Sequence, residues 1–475
     1  MSSPTSWKTN LTSSGFTGDL VISSDSDYAS AIARYAKNAQ RNAGLVAYAK
    51  SSQDVSSAIK YATANGIPVV IRGGGCYTAG TSSIEGGIVI DLSRYINSVR
   101  VDEANKLAYV GGGADWAALD AEAIKHGLAI VGSSANHTGV GGQTLGGGHG
   151  WLTGQHGMTI DSLIQATVVT ADGSTLTAND STNSDLFWGI RGGGPNFGCV
   201  TEFVFKLHPQ RKEVFAGPLI FPPTRFAEVI TVAEEWYASA SELEAVSIVT
   251  TNRGRTGEPV VVVIPFFNGE EDEAKRRFKK FFDLGPIMNM AGMIPYEKVN
   301  ALNNENNNVG ANHKITAYNR PSLTPEVATK VFDKLIQTGS ARDDIRIVFL
   351  WEYHNLKKFS SVASDATAFS GRIPRPTIIM IINWVGDSDE LKADALNRLE
   401  QVRSFTEQAL EPAFDQIGGK TELDTGDGNT ETGDPQSEDS ARVLYGPNYP
   451  RLQQLKKKYD PNMVFKSWYP IVPAA

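Results

Sequence analysis

Three glycine clusters dominate the part of the chain equipped for chemistry. "RGGGCYTAG" spans 72–80, "GVGGQTLGGGHG" spans 139–150 and "RGGGPNFG" spans 191–198. Consecutive glycines strip a loop of Cβ atoms, so its amides can approach a ligand directly. Such a nest suits an anion such as pyrophosphate, or a flat ring. None of the clusters has the strand, G-x-G-x-x-G and helix order of the dinucleotide fingerprint, and none is a G-x-x-x-x-G-K-[ST] loop. Cys76 follows the first cluster and sets a thiol at the nest. Cys199, after Gly198 in a strand pattern, reads as a small buried hydrophobe. His137, His149 and His156 crowd the second cluster. They lack an H-x-x-x-H register and a carboxylate nearby in sequence, so no metal is expected, and His156 reads as structural.

The surrounding pattern shows what positions these loops. "AGLVAYA", "IPVVIR", "GGIVIDLS" and "KLAYVGGGA" are short strands, and "SSQDVSSAIKYATANG" is a capped helix ending at a glycine. Residues 26–65 read as two helices around a strand. "DWAALDAEAIKHG" is a helix, and "LIQATVVTADGSTLTA" is a hairpin with an Asp-Gly turn at 172–173. "GCVTEFVFKLHP" closes a mixed α+β unit over 1–208. Beyond Pro209, "SIVTTNRG", "PVVVVIPFFNG", "DIRIVFLWEYHN" and "TIIMIINWVGD" are long β segments with helical stretches at 269–283 and 324–337. That pattern predicts an antiparallel sheet with helices on one face, over 209–420. Residues 421–442 are polar and rich in Gly and Asp, as expected of a mobile loop. Residues 443–475 return to a helix and an aromatic tail.

With 475 residues, 41% hydrophobic and 20% charged, the chain has the composition of a globular protein of two or three domains. A net charge of −8 argues against a nucleic-acid surface or a polybasic membrane anchor. The N-terminus lacks a basic region followed by an apolar one, and no apolar run reaches the ~20 residues of a membrane helix. An intracellular, cytoplasmic protein is expected.

Taken together, "VVIRGGGCYTAGTSSIEGGIVIDLS", "AYVGGGADWAAL", "GVGGQTLGGGHGWLTGQHGMTIDSL", "DLFWGIRGGGPNFGCVTEFVFKLHP" and the closing "YGPNYPRLQQLKKKYDPNMVF" resemble the FAD-linked oxidases of the berberine-bridge-enzyme-like group, in the vanillyl-alcohol-oxidase superfamily. The pattern is most similar to the fungal intracellular members. The resemblance implies an α+β fold: a two-part FAD-binding domain over 1–208 and 443–475, with an antiparallel substrate domain over 209–420 roofing the isoalloxazine ring. It implies that Arg72, Gly73, Gly74, Gly75 and Tyr77 form the pyrophosphate nest. Ser134, Thr138, Gly139, Gly142 and Gly146 would continue it along the flavin, with His137 and His149 near its phosphates or ring. Gly198 and Val200 would hold the third loop, and Asn448 would reach the flavin or close its site.

The group usually places a histidine, bonded to the flavin 8α-methyl, where this chain has Cys76. A second link through cysteine would fall near Ala135 and should be missing. Cys76 has three readings: a space-filler beside non-covalent FAD, which is favoured; an 8α-thioether, since amide nests lower a thiol pKa; or part of an altered site. Oxidation needs a substrate C–H over the flavin and a base on the pocket roof. Tyr445 is the first choice, then Tyr353, with Glu352 and His354 as further candidates. Alternation along the strand sends Glu352 and His354 to one face, Trp351 and Tyr353 to the other. The expected function is FAD-dependent oxidation of a small organic alcohol or amine, with oxygen reoxidising the flavin, in secondary metabolism by analogy. A small Thr138 would leave oxygen room. The alternatives are a non-oxidative flavin-containing cyclase or isomerase, and a binding protein without catalysis.

Overall fold

The structure, a computed structural model, describes residues 3–254, 257–302, 304, 310–421, 428–430 and 434–475. Strands Asp19–Val21, Leu45–Tyr48, Ile88–Asp91 and Val69–Arg72 form a first sheet in that spatial order. The last three run parallel. Leu45–Tyr48 and Ile88–Asp91 are buried throughout, as strands covered on both faces must be. Helix Ser52–Ala64 makes the crossover. Ser51 caps it by accepting from the Asp54 amide, and Val55, Ala58, Ile59 and Ala62 form its buried stripe. Arg72 ends its strand opposite buried Asp91 and pairs with it at 3.0 Å. The chain therefore enters the first glycine loop from a fixed point.

A second, antiparallel sheet orders strands Val99–Asp102, Leu107–Gly111, Cys199–Lys206, Leu163–Val169 and Thr175–Asn179. The expected turn closes its hairpin, with Gly173 at φ +78°. The C-terminal segment packs here: Tyr445, Tyr449, Leu452, Trp468 and Tyr469 share a core with Phe187 and Phe197.

The third sheet has nine strands, all antiparallel, built from residues 213–384. Strand Ile345–His354 lies in its interior, between Glu244–Thr251 and Thr377–Trp384, and Thr377–Trp384 is flanked by Asn312–Asn319. One face carries helices Phe226–Tyr237, Pro325–Gly339 and Asp389–Asp415 over Phe349, Trp351 and Tyr353. Thr324 caps the second of these, and Ala328, Val331, Phe332 and Leu335 follow its helical period inward. The other face packs on the first part of the chain through Val131, Trp151, Val249 and Val348.

Two expectations change. The first helix of 26–65 shortens to Tyr28–Ile32. The chain beyond it is drawn off as a brace: Arg34 donates to the Ser82 carbonyl at 2.7 Å and the Tyr35 amide to that of Gly75 at 3.3 Å. Of the expected loop 421–442, residues 422–427 and 431–433 lie outside the described residues, and 438–442 belong to helix Glu438–Tyr445. No helix among the described residues is long and apolar enough to cross a membrane.

Candidate active site

A cavity of about 350 Å³ lies between the glycine loops and the large sheet. Its floor is main chain. Gly73, Gly74, Gly75, Cys76, Tyr77, Ser134, His137, Thr138, Gly139, Gly142, Gly198 and Val200 all line it. The amides of Gly74, Gly75 and Cys76 have no acceptor among the described residues. Three successive free N–H groups form an anion nest.

The glycines serve a second purpose that the sequence did not disclose. A Cβ on Gly74 would lie 2.6 Å from both the Cα and the amide nitrogen of Gly139. One on Gly141 would lie 2.6 Å from the Gly112 carbonyl oxygen. The loops touch backbone to backbone, so much of the close approach is between loops. Gly142 differs: nothing lies within 4 Å of its missing Cβ, and that space belongs to the cavity. Ser82 Oγ and Gln143 Oε1, also in residues lining the cavity, are buried without a partner. Free amides, two orphaned side-chain polar atoms and bare Cα positions fit a dinucleotide with a flat head.

The roof is made of side chains. Ile315, Leu350, Ile379 and Ile381 line it from three adjacent strands, and Glu352 is the acid among them. Alternation along Ile345–His354 turns Leu350 and Glu352 to the cavity and Trp351 and Tyr353 to the helices, resolving the choice of face that sequence left open. Glu352 Oε2 sits 3.1 Å from His149 Nε2. Burial works to raise the Glu352 pKa, but the His149 hydrogen bond and the His149 and His354 charges outweigh it, and the net shift is downward. An ionised carboxylate only accepts, so His149 Nε2 carries the proton between them. His354 is buried on the same face, and burial pushes its pKa down to about 4. It lines a smaller side pocket rather than the cavity itself.

Several expected site residues stand elsewhere. Tyr445 is 1% exposed in the C-terminal core and donates to the Gly193 carbonyl at 3.2 Å. Burial drives its pKa well above the ordinary phenol value. It lies off the cavity and cannot act as a base there. Tyr353 faces the helices, donates to Glu234 at 3.0 Å and lies under the Arg320 guanidinium. Asn448 donates to the carbonyls of Ser364 and Thr367 and anchors that loop instead of reaching the cavity. Gly146 lies behind Asn429, whose carboxamide covers it. Arg72 stands behind the nest, tied to Asp91 and the Ala31 carbonyl.

Cys76 is half-buried at the cavity wall, and its thiol donates to the Gly74 and His137 carbonyls at 3.7 and 3.5 Å. Burial pushes its pKa up; the Gly139 amide and Arg72 oppose this without reversing it. The expected lowering by the amide nest does not prevail, because desolvation is the larger effect. Cys199 also touches the cavity, with burial driving its thiol up to about 12. Sequence reasoning missed Tyr35, which stacks between His137 and His313 at 5.3 and 4.7 Å, and Gln143, Asn429 and Thr430. It also missed Ile315, Ile379 and Ile381, which carry no chemistry to mark them.

Comparison with known proteins identifies the family and the cofactor. The model of the FAD binding domain matches residues 43–179, and that described as berberine and berberine like matches 431–471. The FAD-linked oxidoreductase pgmH of Aspergillus terreus is 31% identical over 97% of this chain and 95% of its own. The (R)-6-hydroxynicotine oxidase of Paenarthrobacter nicotinovorans is 34% identical over 55% of this chain and 57% of its own. The crystal structure of 6-hydroxy-D-nicotine oxidase from Arthrobacter nicotinovorans superposes with a TM-score of 0.84 at 25% identity, covering 97% of this chain and 99% of that one. Free amides facing an apolar roof, and a relative that close over almost the whole length, lead to one conclusion: this chain is an FAD-dependent oxidoreductase and belongs to the berberine-bridge-enzyme-like family of FAD-linked oxidases.

Proposed function

We propose that this enzyme oxidises a small organic alcohol or amine, that FAD is held without a covalent bond, and that oxygen is the final acceptor, giving hydrogen peroxide. The observation that carries the reading is Glu352: a buried carboxylate, side chain 5% exposed, on an otherwise aliphatic roof above the glycine loops.

Bound FAD supplies the acceptor for the hydride leaving the substrate C–H bond. The free amides of Gly74, Gly75 and Cys76 would hold its phosphates, and Ser82 and Gln143 would complete the polar contacts. Ile315, Leu350, Ile379 and Ile381 press an apolar substrate toward the floor and exclude water. Glu352, ionised at neutral pH, takes the proton from the adjoining O–H or N–H. His149 is a positioning residue: its Nε2–H fixes the carboxylate from below. An aliphatic roof suits a compact, largely apolar substrate better than a sugar, whose hydroxyls would lie there unpaired. The nicotine-oxidising relatives support the same substrate class. A thiol that donates to two carbonyls and is pushed upward by burial supports non-covalent FAD, since the thioether needs a thiolate.

The test is anaerobic flavin reduction by a panel of benzylic alcohols and cyclic amines. Glu352→Gln should slow bleaching by about 10²–10⁴-fold while FAD uptake stays unchanged. Bleaching at the original rate would overturn the assignment of the base. Acid precipitation should leave the supernatant yellow; flavin retained on the Cys76 peptide would overturn the non-covalent reading.

A further inference from the structure

Three arginines are buried among the described residues: Arg34, Arg320 and Arg372. Two of them have a carboxylate. Arg320 pairs with Glu234 at 2.9 Å and Arg372 with Asp161 at 2.6 Å. Arg34 is 5% exposed and donates only to main-chain carbonyls, those of Ala33 and Ser82 at 2.8 and 2.7 Å and that of Ala31 at 3.4 Å. A buried charge is ordinarily paired, because leaving water without a counter-ion is costly. The place of Arg34 in the fold shows where its counter-ion is missing. Its side chain runs behind the first glycine loop: a Cβ on Gly75 would lie 3.2 Å from Arg34 Cδ and 3.1 Å from Arg72 Nε. Arg72 is bonded to the acid there, Asp91, at 3.0 Å. Two guanidiniums thus share one carboxylate, and a positive charge is left over behind the free amides of Gly74, Gly75 and Cys76. Asp115, the other acid whose charge reaches Cys76, is half-buried and caps helix Trp116–Ala123 through the Ala118 amide at 2.9 Å.

We propose that Arg34 is a cofactor-binding residue: from behind the loop, its guanidinium supplies the positive charge that selects the pyrophosphate of FAD, and that pyrophosphate is the counter-ion the fold leaves out. The proposal rests on the placement of the phosphates over the amides of Gly74, Gly75 and Cys76. Those amides orient an anion at short range, but they are neutral dipoles, and their field falls off faster than that of a full charge in a low-dielectric surrounding. Burial and the Arg72 charge pull the Arg34 pKa down to about 10, against the pull of Asp91, so Arg34 stays charged at neutral pH. The brace that follows helix Tyr28–Ile32 now has a second purpose. By tying the Tyr35 amide to the Gly75 carbonyl at 3.3 Å, it holds the guanidinium at the back of the nest.

The probes are ADP and adenosine, which differ only in their phosphates. They are titrated by calorimetry into full-length apoenzyme produced under riboflavin limitation, with FAD titrated alongside. In the unaltered protein ADP should bind at least about tenfold more tightly than adenosine. The preference should persist at about 0.5 M salt, because a buried charge is screened far less than an exposed one. Arg34→Gln should lower the preference and the FAD affinity at least about tenfold each and leave adenosine affinity unchanged. Arg34→Lys, which keeps the charge, should restore most of both. A merely structural role would weaken ADP and adenosine alike. Undiminished preference in Arg34→Gln, or equal loss for the two ligands, would overturn the proposal. The salt series needs no variant to fold, and a preference that collapses in salt would overturn it as well. Failure of the phosphate placement itself is separately visible, as equal binding of ADP and adenosine by the unaltered protein, and the proposal would fall with it.

Discussion

The floor and the roof of the cavity recognise their ligands by opposite means. The floor uses backbone: free amides in loops from which side chains have been removed, each pinned by a neighbouring loop's own backbone. The roof uses side chains set out by the period of three adjacent strands, with one acid among aliphatic groups. Where its loops touch, as at Gly74 and Gly139, such a floor tolerates almost no change, because adding a single carbon meets main chain. A roof of side chains can be rewritten residue by residue without disturbing the strands. The cofactor is the shared part of the chemistry and the substrate the variable part, and this division of materials matches it.

The largest test of the contrast is to place a side chain in the floor. Gly74→Val puts its Cβ into Gly139, and the cost should be about 3 kcal/mol or more, with FAD uptake lost. Thermal unfolding and flavin absorbance check both. Gly142→Ala should separate the two roles of the glycines: its Cβ enters open space, so stability should change by no more than about 0.5 kcal/mol while FAD affinity falls. Equal damage from both would break the distinction between loop packing and ligand approach.

The seam between the two halves offers a test by pH. Asp120 is 1% exposed on the buried face of helix Trp116–Ala123 and accepts from Asn300 Nδ2 at 2.7 Å. The Asn300 carbonyl in turn takes the amide of Asn136, in the loop beside the cavity. Burial pushes the Asp120 pKa from 3.8 up to about 7. A raised folded-state value favours the protonated form in the fold. The stability it contributes is complete below pH 3.8, erodes as pH rises, and is gone above about 7. Asp120→Asn keeps the acceptor without the charge. It should leave stability unchanged near pH 4 and raise it by about 4 kcal/mol at pH 8, measured by denaturant unfolding. A variant that gains nothing at pH 8 would show that the seam does not hold a strained acid.

The smallest test concerns the helix side of the roof strand. Tyr353→Phe removes a hydroxyl bonded to Glu234 and should cost about 1 kcal/mol in stability with kcat unchanged. A fall in kcat comparable with that of Glu352→Gln would reverse the assignment of the two faces.

The floor is legible in the amino-acid sequence. "RGGGCYTAG", "GVGGQTLGGGHG" and "RGGGPNFG" declare themselves because an amide nest is local: neighbours in the chain are neighbours in space. The strands and hairpin around them follow from the two-residue period and an Asp-Gly turn. Fold class and cofactor come with them. Tertiary structure alone decided the rest. Tyr445 sits in the motif that closes the chain, yet it packs into the C-terminal core because a phenol there finds Asn196 and the Gly193 carbonyl. Ile315, Ile379 and Ile381 look like any strand residues, and only register across three strands brings them together over the cavity. Glu352 and His149 are 203 positions apart and meet only when the sheet is laid on the glycine loops. Sequence alone determined what needs only adjacent residues, because backbone conformation is set locally. It could not determine which face of a strand looks at which ligand, because that depends on how two separately built layers pack.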